Sequence, residues 1–171
     1  IFQPAEERVD LPGAKHLIEH GVLNGVDVIF GQHVYTTLDV GTVGTRSGPF
    51  MASADIFNIR IKGRGTHASR PHMGVDPVII AAQAINALHH IVSRKVNPSH
   101  PAVLTIGRIH GGTVENIIAD EVSMGGTVRT LDLELRDKMP AWMHETLQGI
   151  TDAYGGGFEL DYATGTPPVI N

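Results

Sequence analysis

Cysteine is absent from this chain. Disulfides and thiolate metal sites are thereby excluded within it, and any metal would rest on imidazole and carboxylate ligands. No run of lysine and arginine is present and the net charge is −5, so nucleic acid is not an expected partner. No apolar run approaches the length of a membrane span, and the first residues carry no basic, signal-type region. A protein with no membrane partner is expected, with the cytoplasm as the default compartment. Internal repeats and low-complexity segments are missing too. So is an initiator methionine. Because Ile1 already lies inside an apolar run, an internal fragment of a longer protein is expected.

What is present suffices for a sizeable core. The 171 residues are 42% hydrophobic and 18% charged, which fits one or two domains. Ten histidines are more than average for this length and invite a search for metal ligands, although most will be surface or structural.

The apolar start runs through Pro4 into two adjacent carboxylates, Glu6 and Glu7. In such a pair one carboxylate can hold a metal while the other moves a proton; the same pair also suits a solvated acidic turn. Pro12-Gly13 signals a turn, and Ala14 to His20 a short helix stopped by Gly21. Val26 to Phe30 reads as a strand buried on both faces. His33 follows it, where α/β sheets place their sites, although a strand-end histidine is also a common structural residue. Gly41 to Gly44 suits a short strand and turn, and Ser47-Gly48-Pro49 a loop.

A second unit is expected from Ala54. Asp55 to Lys62 alternates, with Phe57, Ile59 and Ile61 on one face and Asn58, Arg60 and Lys62 on the other, the pattern of a half-buried strand. A Gly- and His-bearing loop follows over 63–75. Asp76 as N-cap and Pro77 at the first position open a helix to about Arg94, with Ala81, Ile85, Leu88 and Val92 as its buried stripe. Strands are expected over Ala102 to Ile109, Glu121 to Thr130 and Phe158 to Ala163. Between the last two, Asp132 caps a helix to about Tyr154, with an irregularity or restart at Pro140 and an end at Gly155-Gly156-Gly157. The order strand, helix, strand, strand, helix, strand is the ferredoxin-like pattern. The expected fold is thus α/β plus α+β: residues 1–53 part of an α/β domain, 54–164 a ferredoxin-like unit, and 165–171 a return segment.

The words in this order resemble the dinuclear metallopeptidase family of the aminoacylases and glutamate carboxypeptidases, and within it the amidohydrolase branch of N-acyl-amino-acid and hippurate hydrolases. The anchors span nearly the whole chain. They are Phe2-Gln3-Pro4-Ala5-Glu6-Glu7, Gly31-Gln32-His33-Val34, Gly63-Arg64-Gly65-Thr66-His67-Ala68-Ser69, Pro71-His72 with Asp76-Pro77, Gly111-Gly112 with Asn116-Ile117-Ile118, and Gly126-Thr127-Val128-Arg129.

The resemblance implies a partial zinc-peptidase-like catalytic domain followed by a ferredoxin-like lid and dimerisation domain. It implies Glu6 as the general base toward a metal-activated water, and Glu7 and His33 as ligands. Two divalent ions, zinc or manganese, are implied for the full-length protein. It implies that His67 reaches across a homodimer to stabilise the oxyanion in the partner's site. Taken alone, without its motif, His67 reads as a loop residue that pairs with Asp76 or faces solvent. Asn116 and Arg129 match substrate-holding groups, Arg129 suiting a substrate carboxylate. Arg129 also fits a pair with Asp132, and Asn116 a left-handed turn. His72 fits either the active site or a turn before the helix.

Two features depart from the family's pattern: Arg8 to Pro12 lengthen the turn after the Glu pair, and Ala119 stands where proline is common. Further family ligands lie outside the chain, which by itself is expected to bind metal weakly and to be inactive. The implied reaction is hydrolysis of the amide of an N-acyl amino acid or small peptide-like substrate. The alternative is a dimerisation or binding module without activity of its own.

Overall fold

The computed structural model describes residues 2–6 and 13–171. Helix α1, Gly13–Glu19, forms where expected and ends before Gly21, which takes the left-handed φ of 78°. The strand expected over 26–30 does not form. Val28, Ile29 and Phe30 are 66%, 71% and 93% exposed, and no described segment pairs with them. An isolated extended run has no neighbour to take its N–H and C=O groups, so an apolar sequence alone does not make a strand. The short strand expected over 41–44 is also replaced, by a turn in which the Thr42 N–H donates to Asp39 O (3.0 Å) and Gly41 has a φ of 87°.

The ordered core begins with β1 (Pro49–Met51) and β2 (Ala54–Lys62). There follow β3 (Thr66–His67), α2 (Pro77–His90), β4 (Ala102–Gly111), β5 (Ile117–Ile118), β6 (Glu121–Thr130), α3 (Leu133–Tyr154), β7 (Gly157–Thr166) and β8 (Val169–Ile170). Four of these form one antiparallel sheet in the order β4-β6-β2-β7, the ferredoxin-like arrangement. β2 lies at its centre. Its alternation works as expected: Phe57, Ile59 and Ile61 are buried beneath the helices, while Asn58, Arg60 and Lys62 face outward. On that open face Arg60 pairs with Glu159 at 2.9 Å, an exposed contact of little energetic weight.

The helices also begin where their caps predict. The Asp76 carboxylate accepts from the Val78 N–H at 2.9 Å, and that of Asp132 from Leu135 at 3.0 Å. The buried stripe of α2 lies slightly to one side of the expected one. Ile80, Ala81, Ala84 and Leu88 are buried and Ile85 sits at the margin, because α2 faces α3 as well as the sheet. After His90 the helix widens into a π-turn, Ile91–Lys95, closed by Val96 N–H to Ile91 O at 3.1 Å. α3 runs through Pro140 without a restart. Its buried residues Leu135, Met139, Met143, Leu147 and Thr151 recur every fourth position, so packing on both sides of the proline holds one axis. Gly155, at φ 70°, ends it. Among the described residues no helix is long and apolar enough to cross a membrane.

Among the described residues, one buried ionic group lies in this core. Asp55, the first inward residue of β2, is fully buried. Arg136 Nη2 reaches its Oδ1 at 2.6 Å and Nε its Oδ2 at 3.0 Å; the Tyr162 hydroxyl and the Gly165 N–H each donate at 2.9 Å. The β2–β7 ladder slips at this point, from Ile56 opposite Ala163 to Ala54 opposite Thr166. The extra residue turns the Gly165 N–H toward Asp55 and its carbonyl toward Arg136, at 2.8 Å. Burial pushes the Asp55 carboxyl up, but the hydrogen bonds from Arg136, Gly165 and Tyr162 and the charge of Arg136 outweigh it and hold it below the usual carboxylate range.

The stability tied to that depression is present above about pH 3.9, the unfolded aspartate value. It is lost as pH falls through the lower folded value. Asp55→Asn leaves Arg136 without its counter-charge and is expected to cost about 3–5 kcal/mol in urea unfolding. It should also flatten the acid limb of stability against pH. A variant as stable as its parent would contradict this account.

Candidate functional site

The loop between β2 and α2 is built on close backbone approach. Gly63 N–H donates to Asp120 O and Gly65 N–H to the Asp120 carboxylate, both at 2.8 Å. Arg64 and Val75 exchange two backbone bonds of 2.9 Å. A Cβ on Gly65 would lie 2.8 Å from Asp120 Oδ1 and 2.9 Å from Ile118 O, so only glycine lets these strands approach. β3 then pairs with β5, placing Thr66 opposite Ile118 and His67 opposite Ile117. The Ala68 N–H donates to Asn116 O at 2.9 Å. This short ladder sets the backbone around His67 beside the backbone around Asn116, which lies opposite Ala68.

The His67 side chain is exposed, and its Nδ1 faces Ser69, at 3.1 Å from the backbone N and 2.8 Å from Oγ. It does not pair with Asp76, whose carboxylate caps α2. Asn116 is not left-handed, since Ala5 is the one non-glycine residue with positive φ among the described residues. His72 lies exposed in a single 3-10 turn, Pro71–Met73, directly before α2. Arg129 is exposed near the end of β6, opposite Val103. The pair with Asp132 does not form; Asp132 is taken by His100 Nδ1 and by the cap of α3.

Glu6 is exposed and follows Ala5, whose φ of 50° lies where an alanine is strained. Glu7 lies outside the described residues. His33 is exposed, with Nδ1 2.6 Å from the Val34 carbonyl. A carbonyl only accepts, so Nδ1 carries a hydrogen, and in the neutral ring the Nε2 lone pair is then the one open to a metal. Among the described residues, no hydrogen bond joins Glu6, His33 or Arg129 to the His67–Asn116 pair.

Residues 53–154 match the peptidase dimerisation domain of the M20 peptidases, which is more than half of the chain. The chain belongs to the M20 peptidase family. It is 43% identical over 171 residues to an N-acyl-L-amino acid amidohydrolase of Geobacillus stearothermophilus, covering 100% of this chain and 46% of that protein. It is 43% identical over 169 residues to thermostable carboxypeptidase 2 of Saccharolobus solfataricus, covering 99% and 43%. A solved Bacillus subtilis protein, described as a dinuclear metal-binding peptidase of the M20 family, is 39% identical with a TM-score of 0.75, covering 99% of this chain and 41% of that one. The M20 chain therefore spans less than half the length of these relatives.

A complete metal centre does not fit the donors described. Among the described residues of this M20 chain, no three His, Asp or Glu side chains converge to hold an ion. Two residues that shape the His67 loop, Asp120 and Ser69, carried no assigned role in the sequence reading. Asp120 is 55 residues from Gly65, and only the β3–β5 pairing reveals the contact. Ser69 stands two residues from His67, within the same motif, and offered the nearer signal. Removing the Asp120 carboxylate tests the first of these contacts. Asp120→Ala should speed hydrogen exchange at the Gly65 amide and cost about 1–2 kcal/mol, leaving the β2 amides protected. An unchanged Gly65 exchange rate would refute the role.

Proposed function

We propose that the full-length M20 protein hydrolyses the amide bond of N-acyl amino acids or small peptide-like substrates, acting as a homodimer. The observation that carries this reading is His67, presented on a glycine-built loop beside Asn116 in a chain 43% identical along its length to an N-acyl-L-amino acid amidohydrolase. In this reading Glu6 takes a proton from water and delivers it to the leaving nitrogen. His67 of one subunit donates to the oxyanion formed in the partner's site. Asn116 and His72 hold the substrate, and the exposed Arg129 forks onto its carboxylate.

Two divalent ions, zinc or manganese, belong to this proposal, with Glu7 and His33 among the ligands and the rest supplied from outside the chain. With the remaining ligands supplied, such ions would lower the pKa of a water and so supply a nucleophile. Residues 1–53 then belong to the catalytic domain, 54–164 form the dimerisation lid, and 165–171 return toward the catalytic domain, in a protein working in the cytoplasm. The chain alone is inactive on this reading. A second reading, a dimerisation module with no activity of its own, draws on the self-contained core beneath β2.

The test is release of amino acid by the full-length protein from N-acetyl, N-benzoyl and indole-acetyl amino acids, with added Mn²⁺ or Zn²⁺ and with chelator. Chelator should abolish turnover. Glu6→Gln should lower kcat by about 10²–10⁴-fold and His67→Ala by about 10²–10³-fold. Mixing the two inactive variants should restore roughly a quarter of the activity, because one site of each mixed symmetric dimer holds both native residues. A silent Glu6→Gln would remove the base assignment, and no recovery on mixing would remove the shared site.

A further inference from the structure

We infer that Ser69 is a positioning residue that fixes the ring of His67 in its Nε2–H tautomer, leaving a neutral N–H directed away from the loop as a hydrogen-bond donor. The inference rests on the proposed role of His67 for its importance to catalysis, but the tautomer itself follows from geometry.

Two groups of Ser69 meet the same ring nitrogen: Oγ at 2.8 Å and the backbone N–H at 3.1 Å from Nδ1. The hydroxyl alone would leave the ring undetermined, because a hydroxyl both donates and accepts. An amide N–H only donates, so the nitrogen it meets must offer a lone pair. In a neutral imidazole the hydrogen then sits on Nε2. With the amide fixing Nδ1 as an acceptor, the hydroxyl turns its own hydrogen toward the same lone pair. Nε2 has no partner among the described residues, and the side chain is exposed, so its N–H is open to a ligand oxygen.

The backbone holds this arrangement in place. His67 is tied by its pairing with Ile117, Ala68 by its bond to Asn116 O, and Arg70 N–H returns to His67 O at 2.8 Å. The Ser69 amide is thus delivered by a turn whose flanking residues are all bonded. A donor Nε2–H is what an oxyanion requires, whereas the opposite tautomer would turn a lone pair toward a developing negative charge.

The experiment is ¹⁵N NMR of the protein labelled in its histidine rings and serine amides, at a pH well above about 6.5, the ordinary imidazole value. His67→Ala identifies the ring signals by their disappearance. A lone-pair-type shift at Nδ1, a protonated-type shift at Nε2 and a through-hydrogen-bond coupling from the Ser69 amide to Nδ1 are expected. In Ser69→Pro, which lacks both donors, the ring shifts should move toward those of an unrestrained histidine. A protonated Nδ1 in the parent protein overturns the inference without recourse to any variant, as do ring shifts that a folded Ser69→Pro leaves in place. If the tautomer is found but His67→Ala hydrolyses N-acyl amino acids as the parent does, the inference about the ring stands and the catalytic role of His67 falls.

Discussion

The ion pair between Asp55 and Arg136 is the constraint on which the sheet and its helices depend. It joins the first inward residue of the central strand, the first turns of α3 and the irregular end of β7. Exchanging a buried pair for apolar side chains is often neutral in net stability, so its contribution lies elsewhere. Side chains alternate along a strand, and a slip of β2 by one residue would turn Asp55 to the outer face together with Phe57, Ile59 and Ile61. Arg136 would then lie buried without a counter-charge. The hydrophobic face and the ionic contact thus require the same register, and each penalises the error that the other forbids. Ser53 extends the constraint beyond the strand, since its N–H donates to Thr130 O at 2.8 Å and its hydroxyl accepts from the Thr130 N–H at 3.1 Å.

Two histidines with contrasting chemistry lie in contrasting surroundings. His33 meets a carbonyl at Nδ1 and keeps its Nε2 lone pair; His67 meets an amide N–H at Nδ1 and keeps its Nε2 hydrogen. The side chain is the same and the outward atom is the same, but one ring offers electrons and the other a proton. The difference comes from the backbone that each ring meets within one or two residues. A histidine's role in such a protein is therefore written partly in the neighbouring peptide groups.

Features governed by near neighbours were legible in the sequence. The alternation of β2, the aspartate caps of α2 and α3 and the stop at Gly155 all depend on residues a few positions apart, and each forms as read. What failed depended on distant partners. Val26 to Phe30 has the composition of a buried strand but no described neighbour to complete it. Pro140 breaks an isolated helix, yet the buried row on either side of it holds α3 continuous. Asp55 stood in the sequence only as the first residue of an alternating strand, because Arg136, Tyr162 and Gly165 lie 81, 107 and 110 residues away. At the candidate site, His67 and Asn116 were identifiable as motif residues. Their meeting across β3 and β5 was not, because a ladder of two residues a strand leaves almost no pattern to read.

β1 and β8 pair as the chain enters and leaves the four-stranded unit. Pro49 lies opposite Ile170, and Gly48 and Asn171 exchange backbone bonds of 2.9 and 3.0 Å. The two ends of the unit consequently emerge side by side. A segment with adjoining ends can be spliced into a host chain at a single point without diverting the host's own path. The ferredoxin-like unit thus has the geometry of a cassette: another protein with two neighbouring strand ends could accept it, and a loop of suitable span could replace it.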